Sequence, residues 1–150
     1  MDEPPSDWES VAFAGSAVGF RYPAVTPQGQ TVERVDETAN DHRGDIERVH
    51  LSSPDKQELY VEGIRFRGLS PQDEHERHRA YLEQRFGAGS VTPLSETSHG
   101  EQPAWEYSFR WKDGERSVLL LELDGDTYRI LWNPRSELNL RVVATVSTGR

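Results

Sequence analysis

Residues 103–111, PAWEYSFRW, alternate between aromatic and polar side chains over most of their length. Every second residue of a β-strand points to the same face, so the aromatic residues share one face and the polar residues the other. The pattern predicts a strand of an antiparallel sheet with one buried and one solvated face. We call the aromatic side the aromatic ladder, which consists of Trp105, Tyr107, Phe109 and Trp111.

Two Asp-Gly pairs follow the ladder, at residues 113–114 and 124–125. This dipeptide favours tight hairpin turns because both of its residues tolerate a positive φ. The segments RSVLLLEL and TYRILW are therefore predicted as the second and third strands of a meander. The third strand has three large side chains on one face: Tyr128, Ile130 and Trp132.

The first third of the chain predicts further strands. VAF and VGFRYP indicate two short strands around a turn. TVERVDE and DIERVHLSS are strand candidates with few apolar residues. The sequence therefore does not decide whether residues 28–43 form sheet or loop. In ELYVEGIRFR the apolar positions change phase across Gly63, which indicates a β-bulge.

Two helices are predicted as well. SPQDEHERHRAYLEQRFG has an N-cap at Ser70, a proline at the first helical position and a glycine directly after Phe86, where the helix ends. A second helix follows Asn133 and Pro134. Its apolar residues recur every four positions and form a stripe that can pack on the sheet: Leu138, Val142 and Val146.

The order of strands, helix, strands and helix is typical of an α+β fold, a twisted antiparallel β-sheet flanked by helices. A length of 150 residues suits one domain. We expect residues 1–7 to form a flexible N-terminal tail and residues 8–150 to form the single domain.

Composition excludes several function classes. The formal net charge of −9 at pH 7 argues against binding to nucleic acid or to an anionic membrane surface, since both need basic patches. The chain has no cysteine, which excludes disulfides and thiolate catalysis. No apolar run approaches the roughly 18 residues of a membrane span, so we expect no membrane insertion. We expect a cytoplasmic protein, or an extracytoplasmic one if a leader was removed before Met1.

His75 and His78 lie three positions apart on the first predicted helix, one residue short of the H-E-x-x-H spacing of zinc proteases. They fall on the helix face that also carries Leu82 and Phe86 and that must meet the sheet. The first interpretation is therefore packing, with a solvated opposite face formed by Asp73, Glu74, Glu76 and Arg77. The second interpretation is a metal site, completed by His50 or His99.

The ladder also has two interpretations. It forms core where helices cover the sheet, or part of it is exposed and forms a binding surface that Trp132 extends. The candidate partner-binding residues are Trp105, Tyr107, Phe109, Trp111 and Trp132. The polar face of the same strands is the second choice of surface.

The order of these segments resembles a known family over residues 8–148. VGFRYP, the mid-chain helix, HGEQPAWEYSFRW, TYRILWNP and the closing helix together look like the PsbP-like α/β/α sandwich. Its members include the PsbP subunit of photosystem II, a Ran-binding nuclear transport factor, bacterial lipoproteins and the Eag-type chaperones of type VI secretion effectors. The resemblance implies a protein-binding scaffold without a shared active site, and it carries no catalytic residues to this chain.

We therefore predict a non-enzymatic protein-binding or adaptor module that needs no cofactor and acts as a monomer or homodimer. Its acidic character favours a basic or apolar protein partner. The alternative is a small metal-dependent enzyme that uses His75 and His78.

Overall fold

The computed structural model describes residues 7–41, 44–112 and 114–148. Its elements form a seven-stranded antiparallel sheet of order β3-β4-β5-β9-β8-β7-β6, a separate β1-β2 hairpin and two helices. In chain order they are β1 (Glu9–Ala12), β2 (Gly19–Tyr22), β3 (Glu33–Asp41), β4 (Gly44–Ser52), β5 (Tyr60–Phe66), α1 (Pro71–Phe86), β6 (Ser95–His99), β7 (Gln102–Trp111), β8 (Gly114–Leu123), β9 (Asp126–Trp132) and α2 (Glu137–Ala144). The predicted α+β fold with an antiparallel sheet is confirmed.

The predicted meander is β7, β8 and β9. Asp124 and Gly125 have φ values of 55° and 83°, the conformation expected of both residues in a type I′ hairpin turn. Asp113, in the other predicted turn, lies outside the described residues. The weak strand candidates also form sheet, because β3 and β4 pair from Glu33↔Ser52 to Asp41↔Gly44.

The predicted bulge at Gly63 is wrong. β5 pairs in continuous register with β4 on one side and β9 on the other. The apolar positions change phase because different layers cover the two ends of the strand. At Gly63 the missing side chain leaves room for Phe13 and Ile130, which pack over this position from the α2 side of the sheet.

Gly63→Ala is expected to lower the free energy of unfolding by about 1–2 kcal/mol, since overpacking outweighs the smaller gain in chain entropy. An added Cβ would lie 3.0 Å from Phe13 Cζ and 3.3 Å from Ile130 Cδ1, and both side chains are buried. Urea unfolding measures the change. Gly114→Ala is the control, because its Cβ meets only the Arg116 guanidinium, at 3.5 Å. Equal stability of the two variants would contradict the prediction.

The β1-β2 hairpin and α2 cover one face of the sheet and enclose the larger core, which includes Phe20, Leu51, Tyr128 and Ile130. α2 begins at Glu137, with the Ser136 side chain accepting a hydrogen bond from the Asn139 amide. The predicted start, directly after Pro134, is therefore two residues early. Val146, the last residue of the predicted stripe, lies beyond the end of α2 but is buried in the same core as Leu138 and Val142.

α1 covers the other face. Its predicted ends are confirmed: the Ser70 hydroxyl accepts a hydrogen bond from the Asp73 amide, and Gly87 follows the last turn with φ 101°. α1 packs on β7 and β8. A helix is about 10 Å wide whereas seven strands span roughly 30 Å, so one helix leaves part of this face uncovered. None of the helices in the described part of the chain is long and apolar enough to cross a membrane.

Candidate functional site

The aromatic ladder faces α1, but its members differ in exposure. Tyr107 and Phe109 are buried, with 4% and 3% of their surface exposed, whereas Trp105 and Trp111 are half-buried. The central ladder is therefore core, and only its two ends reach the surface.

Trp132 does not extend the ladder. In the register of the sheet, Trp105 pairs with Leu120, and Leu120 pairs with Arg129. Directly paired residues point to the same face, so Arg129 shares the ladder face and Trp132 the opposite one. Trp132 accordingly packs against the core beneath α2. The sequence correctly predicts that Tyr128, Ile130 and Trp132 share one face of β9. It does not predict that this face is opposite to the ladder.

His75 and His78 are buried between α1 and the sheet. Nε2 of His75 donates to the Thr92 carbonyl oxygen at 3.0 Å, and Nδ1 of His78 lies 2.6 Å from the Tyr107 hydroxyl. Both rings contact the Tyr107 ring edge to face, at centroid distances of 4.8 and 5.8 Å. The two histidines therefore pack between α1 and the sheet, in line with the packing interpretation.

The other two histidines of the metal hypothesis lie elsewhere. Nε2 of His99 donates to the Val146 carbonyl oxygen at 2.7 Å, on the α2 side of the molecule. His50 lies on β4, with its ring 5.1 Å from that of Tyr60. Within residues 7–41, 44–112 and 114–148, no three His, Cys, Asp or Glu side chains form a group that could hold a metal ion.

Glu74 corrects the prediction of a solvated helix face. Its side chain is fully buried, and its Oε2 accepts a hydrogen bond from Arg129 Nη1 at 2.6 Å. Glu62 Oε1 lies 3.9 Å from Nη2 of the same guanidinium. Burial is the largest single effect on Arg129 and would lower its pKa, but the interactions with Glu74, Tyr107 and Glu62 together outweigh burial and the pKa is raised. The buried charge is therefore retained and compensated.

Tyr107 joins this ion pair to the histidines. Burial raises its pKa well above the usual value, while the nearby Arg129 acts in the opposite direction. The phenol therefore keeps its proton. The phenol oxygen faces the Arg129 guanidinium, and the same hydroxyl is hydrogen-bonded to Nδ1 of His78. A continuous polar network connects α1 to β7 and β9 through Glu74, Arg129, Tyr107 and His78.

A cleft of about 410 Å³ opens beside α1, over the part of the sheet that the helix leaves uncovered. We call it the α1 cleft. Its floor and walls are formed by Tyr60, Glu62, His78, Tyr81, Leu82, Phe109, Trp111, Arg129 and Leu131, and its rim by Lys56, Lys112 and Arg116.

The α1 cleft concentrates positive charge in an acidic protein. Arg129 is compensated by Glu74, and Glu62 by Arg48, whose Nε lies 3.3 Å from its carboxylate. The rim cations Lys56, Lys112 and Arg116 form no ion pair with any other described residue. Within the described part of the chain, the cleft therefore presents three cations without an ion-pair partner, although the whole chain carries a formal net charge of −9.

Aromatic side chains line the same cleft. The Trp111 ring packs edge to face on the Phe86 ring, with 5.2 Å between the ring centroids. The Lys112 ammonium lies 5.9 Å from the centroid of the Trp111 ring. Tyr81 is half-exposed on the α1 wall, and its hydroxyl accepts a hydrogen bond from Arg85 at 2.8 Å. Cations beside aromatic faces are typical of surfaces that bind other molecules.

The turn that carries Lys56 is ordered by Asp55. Its carboxylate accepts hydrogen bonds from the Gln57 amide, the Ser53 hydroxyl and the Gln30 side chain. These bonds, the one from Gln57 above all, lower the pKa of Asp55 to about 2. Lys56 has a positive φ of 57°, which directs the chain through the turn. One of the three rim cations is thus presented by a defined loop.

His50 lies next to this site, and neither of its ring nitrogens has a hydrogen-bond partner among the described residues. Burial lowers its pKa below the usual 6.5, and Arg48 adds to the effect. The folded protein then binds the proton less tightly than the unfolded chain, so stability present above pH 6.5 falls as the pH drops.

We expect the wild-type protein to lose more unfolding free energy than His50→Gln between about pH 7.5 and about pH 5.5, because only the wild type must charge this ring. Urea unfolding at several pH values measures both profiles. Parallel profiles for the two proteins would contradict a lowered pKa.

A larger cavity of about 650 Å³ lies between the β6-β7 turn and the segment after α2. Among the described residues that line it, Glu101 and His99 are the only acidic or basic side chains, and most of the others are small or apolar. It lacks the convergence of charged and aromatic groups found in the α1 cleft, which is therefore the better candidate site.

Comparison with solved structures identifies the fold. The chain is similar to the solution structure of cyanobacterial PsbP (CyanoP) from Synechocystis sp. PCC 6803, with a TM-score of 0.62 and 10% sequence identity. The match covers 97% of this chain and 94% of that chain. No protein-family model matches the sequence, and no curated protein matches it. The PsbP-like fold predicted from the sequence is thus confirmed, and at this identity the likeness concerns the fold alone.

Proposed function

We propose that this protein is a non-enzymatic protein-binding module that contacts its partner through the α1 cleft. The observation that carries the proposal is the convergence of partly exposed aromatic rings and three cations, none with an ion-pair partner among the described residues, on one concave surface of an acidic chain. Aromatic and basic side chains of this kind supply much of the affinity of protein interfaces. Of the ladder, we propose that Trp111 contacts the partner, because it lines the cleft and is only half-buried.

The family resemblance noted in the sequence is in line with this proposal, since it includes chaperones and transport factors that bind other proteins. The metal-dependent enzyme has less support. Nε2 of His75 donates to the Thr92 carbonyl oxygen and Nδ1 of His78 is hydrogen-bonded to the Tyr107 hydroxyl. Among the described residues, no third His, Cys, Asp or Glu side chain joins these two in a group that could hold a metal ion.

Affinity capture from a lysate of the source organism tests the proposal, with and without chelator. The baits are the wild type, Lys56→Glu and Lys112→Glu. Arg141→Glu is the matched control, because it makes the same change of charge at an exposed residue of α2, on the opposite face of the sheet. We expect a protein that the wild type and the control retain regardless of chelator and that both cleft variants lose.

Two results would contradict the proposal. One is retention of the same proteins by the cleft variants and the wild type. The other is a captured protein that chelator releases from the wild type, which would favour the metal-dependent alternative.

A further inference from the structure

We infer that the α1 cleft recognises an acidic linear segment of its partner, in which one apolar or aromatic side chain is flanked on both sides by carboxylates. This inference rests on the proposed function and names the chemistry of the partner. It reverses the expectation from net charge, which favoured a basic or apolar partner. The inference of an acidic partner rests on the local charges of the cleft and not on the total charge of the chain.

The rim cations stand on both sides of the cleft mouth. β5 begins at Tyr60, β7 ends at Trp111 and β9 ends at Trp132, and these three strand ends lie at the same edge of the sheet. Lys56 precedes β5 and Lys112 follows β7. A peptide that crosses this edge therefore meets one cation on each side.

The strand order sets the spacing between the two sides. β9 and β8 lie between β5 and β7, which makes three inter-strand steps. At about 4.8 Å per step, β5 and β7, the strands next to Lys56 and Lys112, lie roughly 14 Å apart across the sheet. An extended peptide rises about 3.3 Å per residue, so carboxylates about four residues apart reach both cations.

The interior of the cleft selects the residue between the two acids. Leu82, Phe109 and Leu131 are apolar, and the rings of Tyr60, Tyr81 and Trp111 surround them. A volume of about 410 Å³ suits a large side chain together with its flanking backbone. A Phe, Leu or Trp of the partner fits this surface better than a polar residue.

Arg129 adds a requirement at the floor. It is 93% buried (7% exposed), lines the cleft, and its Nε has no acceptor among the described residues. Its charge is already compensated by Glu74. A neutral acceptor is what this donor lacks, and because Nε is shielded from solvent, a backbone carbonyl of a bound peptide reaches it only after a small shift of the side chains at the floor.

The net negative charge of the protein does not oppose this binding strongly. At physiological ionic strength, interactions between exposed charges are largely screened beyond about 8 Å. The acids of a bound peptide lie within contact distance of the rim cations and farther from most of the acidic surface. The short-range attraction then determines the affinity.

Fluorescence anisotropy with labelled synthetic peptides tests the inference on the full chain. The probe is Gly-Glu-Ala-Phe-Ala-Glu-Gly, whose two acids are four residues apart. We expect saturable binding with a Kd on the order of 10 μM. A peptide with Gln in place of both Glu residues, and another with Ser in place of Phe, should each bind at least about ten-fold more weakly.

The protein variants locate the site. Lys56→Glu and Lys112→Glu are each expected to weaken the probe at least about five-fold, whereas Arg141→Glu stays within about two-fold of the wild type. Lys56 and Lys112 are exposed, and circular dichroism verifies that the variants are folded. Trp111→Ala is a second cleft variant, which removes an aromatic wall without changing charge, and it should also weaken the probe.

No saturable binding up to about 1 mM, or equal binding of the Glu and Gln peptides, would overturn the inference. The affinity capture separates this failure from that of the proposed function. If the cleft variants lose a captured protein but the probe does not bind, the module binds a protein of other chemistry. If neither experiment depends on the cleft, the proposed function fails as well.

Discussion

Glu74→Gln is expected to lower the free energy of unfolding by about 3–5 kcal/mol, because it leaves a buried guanidinium without its charged partner. Glu74 is fully buried, and its bond to Arg129 is 2.6 Å long. The other carboxylate near Arg129 is that of Glu62, at 3.9 Å, too far for a hydrogen bond. Glutamine has nearly the same shape as glutamate, so the loss of unfolding free energy measures the effect of removing the charge and not that of creating a cavity. Urea unfolding measures it.

Glu76→Gln is the control on the same helix. Glu76 is 67% exposed and forms a surface pair with Arg79 at 3.3 Å, so its replacement should cost no more than about 0.5 kcal/mol. Adding Arg129→Met to Glu74→Gln should recover part of the loss, since the unpaired charge is then removed. A loss below about 1 kcal/mol for Glu74→Gln would show that Glu62 compensates Arg129 by itself.

Phe109→Ala is expected to cost about 3–5 kcal/mol, the range for deleting a large aromatic side chain from a core. The Phe109 ring is 3% exposed and packs on the His78 ring at a centroid distance of 5.1 Å. Its neighbours on α1 cannot close the cavity without moving the helix. The unfolding free energy of the variant therefore measures how far the ladder serves as core.

Trp111→Ala is the matched ladder variant. Trp111 is half-buried at the mouth of the α1 cleft, so we expect a smaller loss of about 1–2 kcal/mol together with weaker binding of the acidic probe peptide. The two variants thus divide the ladder into a core part and a binding part. A Trp111→Ala protein that is as unstable as Phe109→Ala would contradict this division.

The polar network and the α1 cleft are connected. Glu74 and His78 attach α1 to Arg129 and Tyr107 of the sheet, and Tyr81 and Leu82 of the same helix form one wall of the cleft. The position of that wall therefore depends on buried polar contacts with defined geometry. A cleft held in this way needs little rearrangement on binding, which reduces the entropic cost of association.

Two features of the structure are not predicted from the sequence, and each has a clear physical reason. β6, SETSH, lies at the edge of the sheet and has no alternation of apolar and polar residues, so periodicity does not detect it. Glu74 was placed on a solvated face because a helix sequence does not reveal what lies opposite it. Its partner Arg129 is 55 residues away along the chain.

The sequence by itself determined the local structure. The alternation in β7, the Asp124-Gly125 turn and the Ser70 cap depend on neighbours within a few residues, and each was predicted correctly. Only the tertiary structure decided which face each side chain shares with distant strands. The register of β9 placed Arg129 rather than Trp132 beside the ladder, and the strand order brought Lys56 and Lys112 to one edge. The α1 cleft arises from these non-local pairings, which no short segment of the chain encodes.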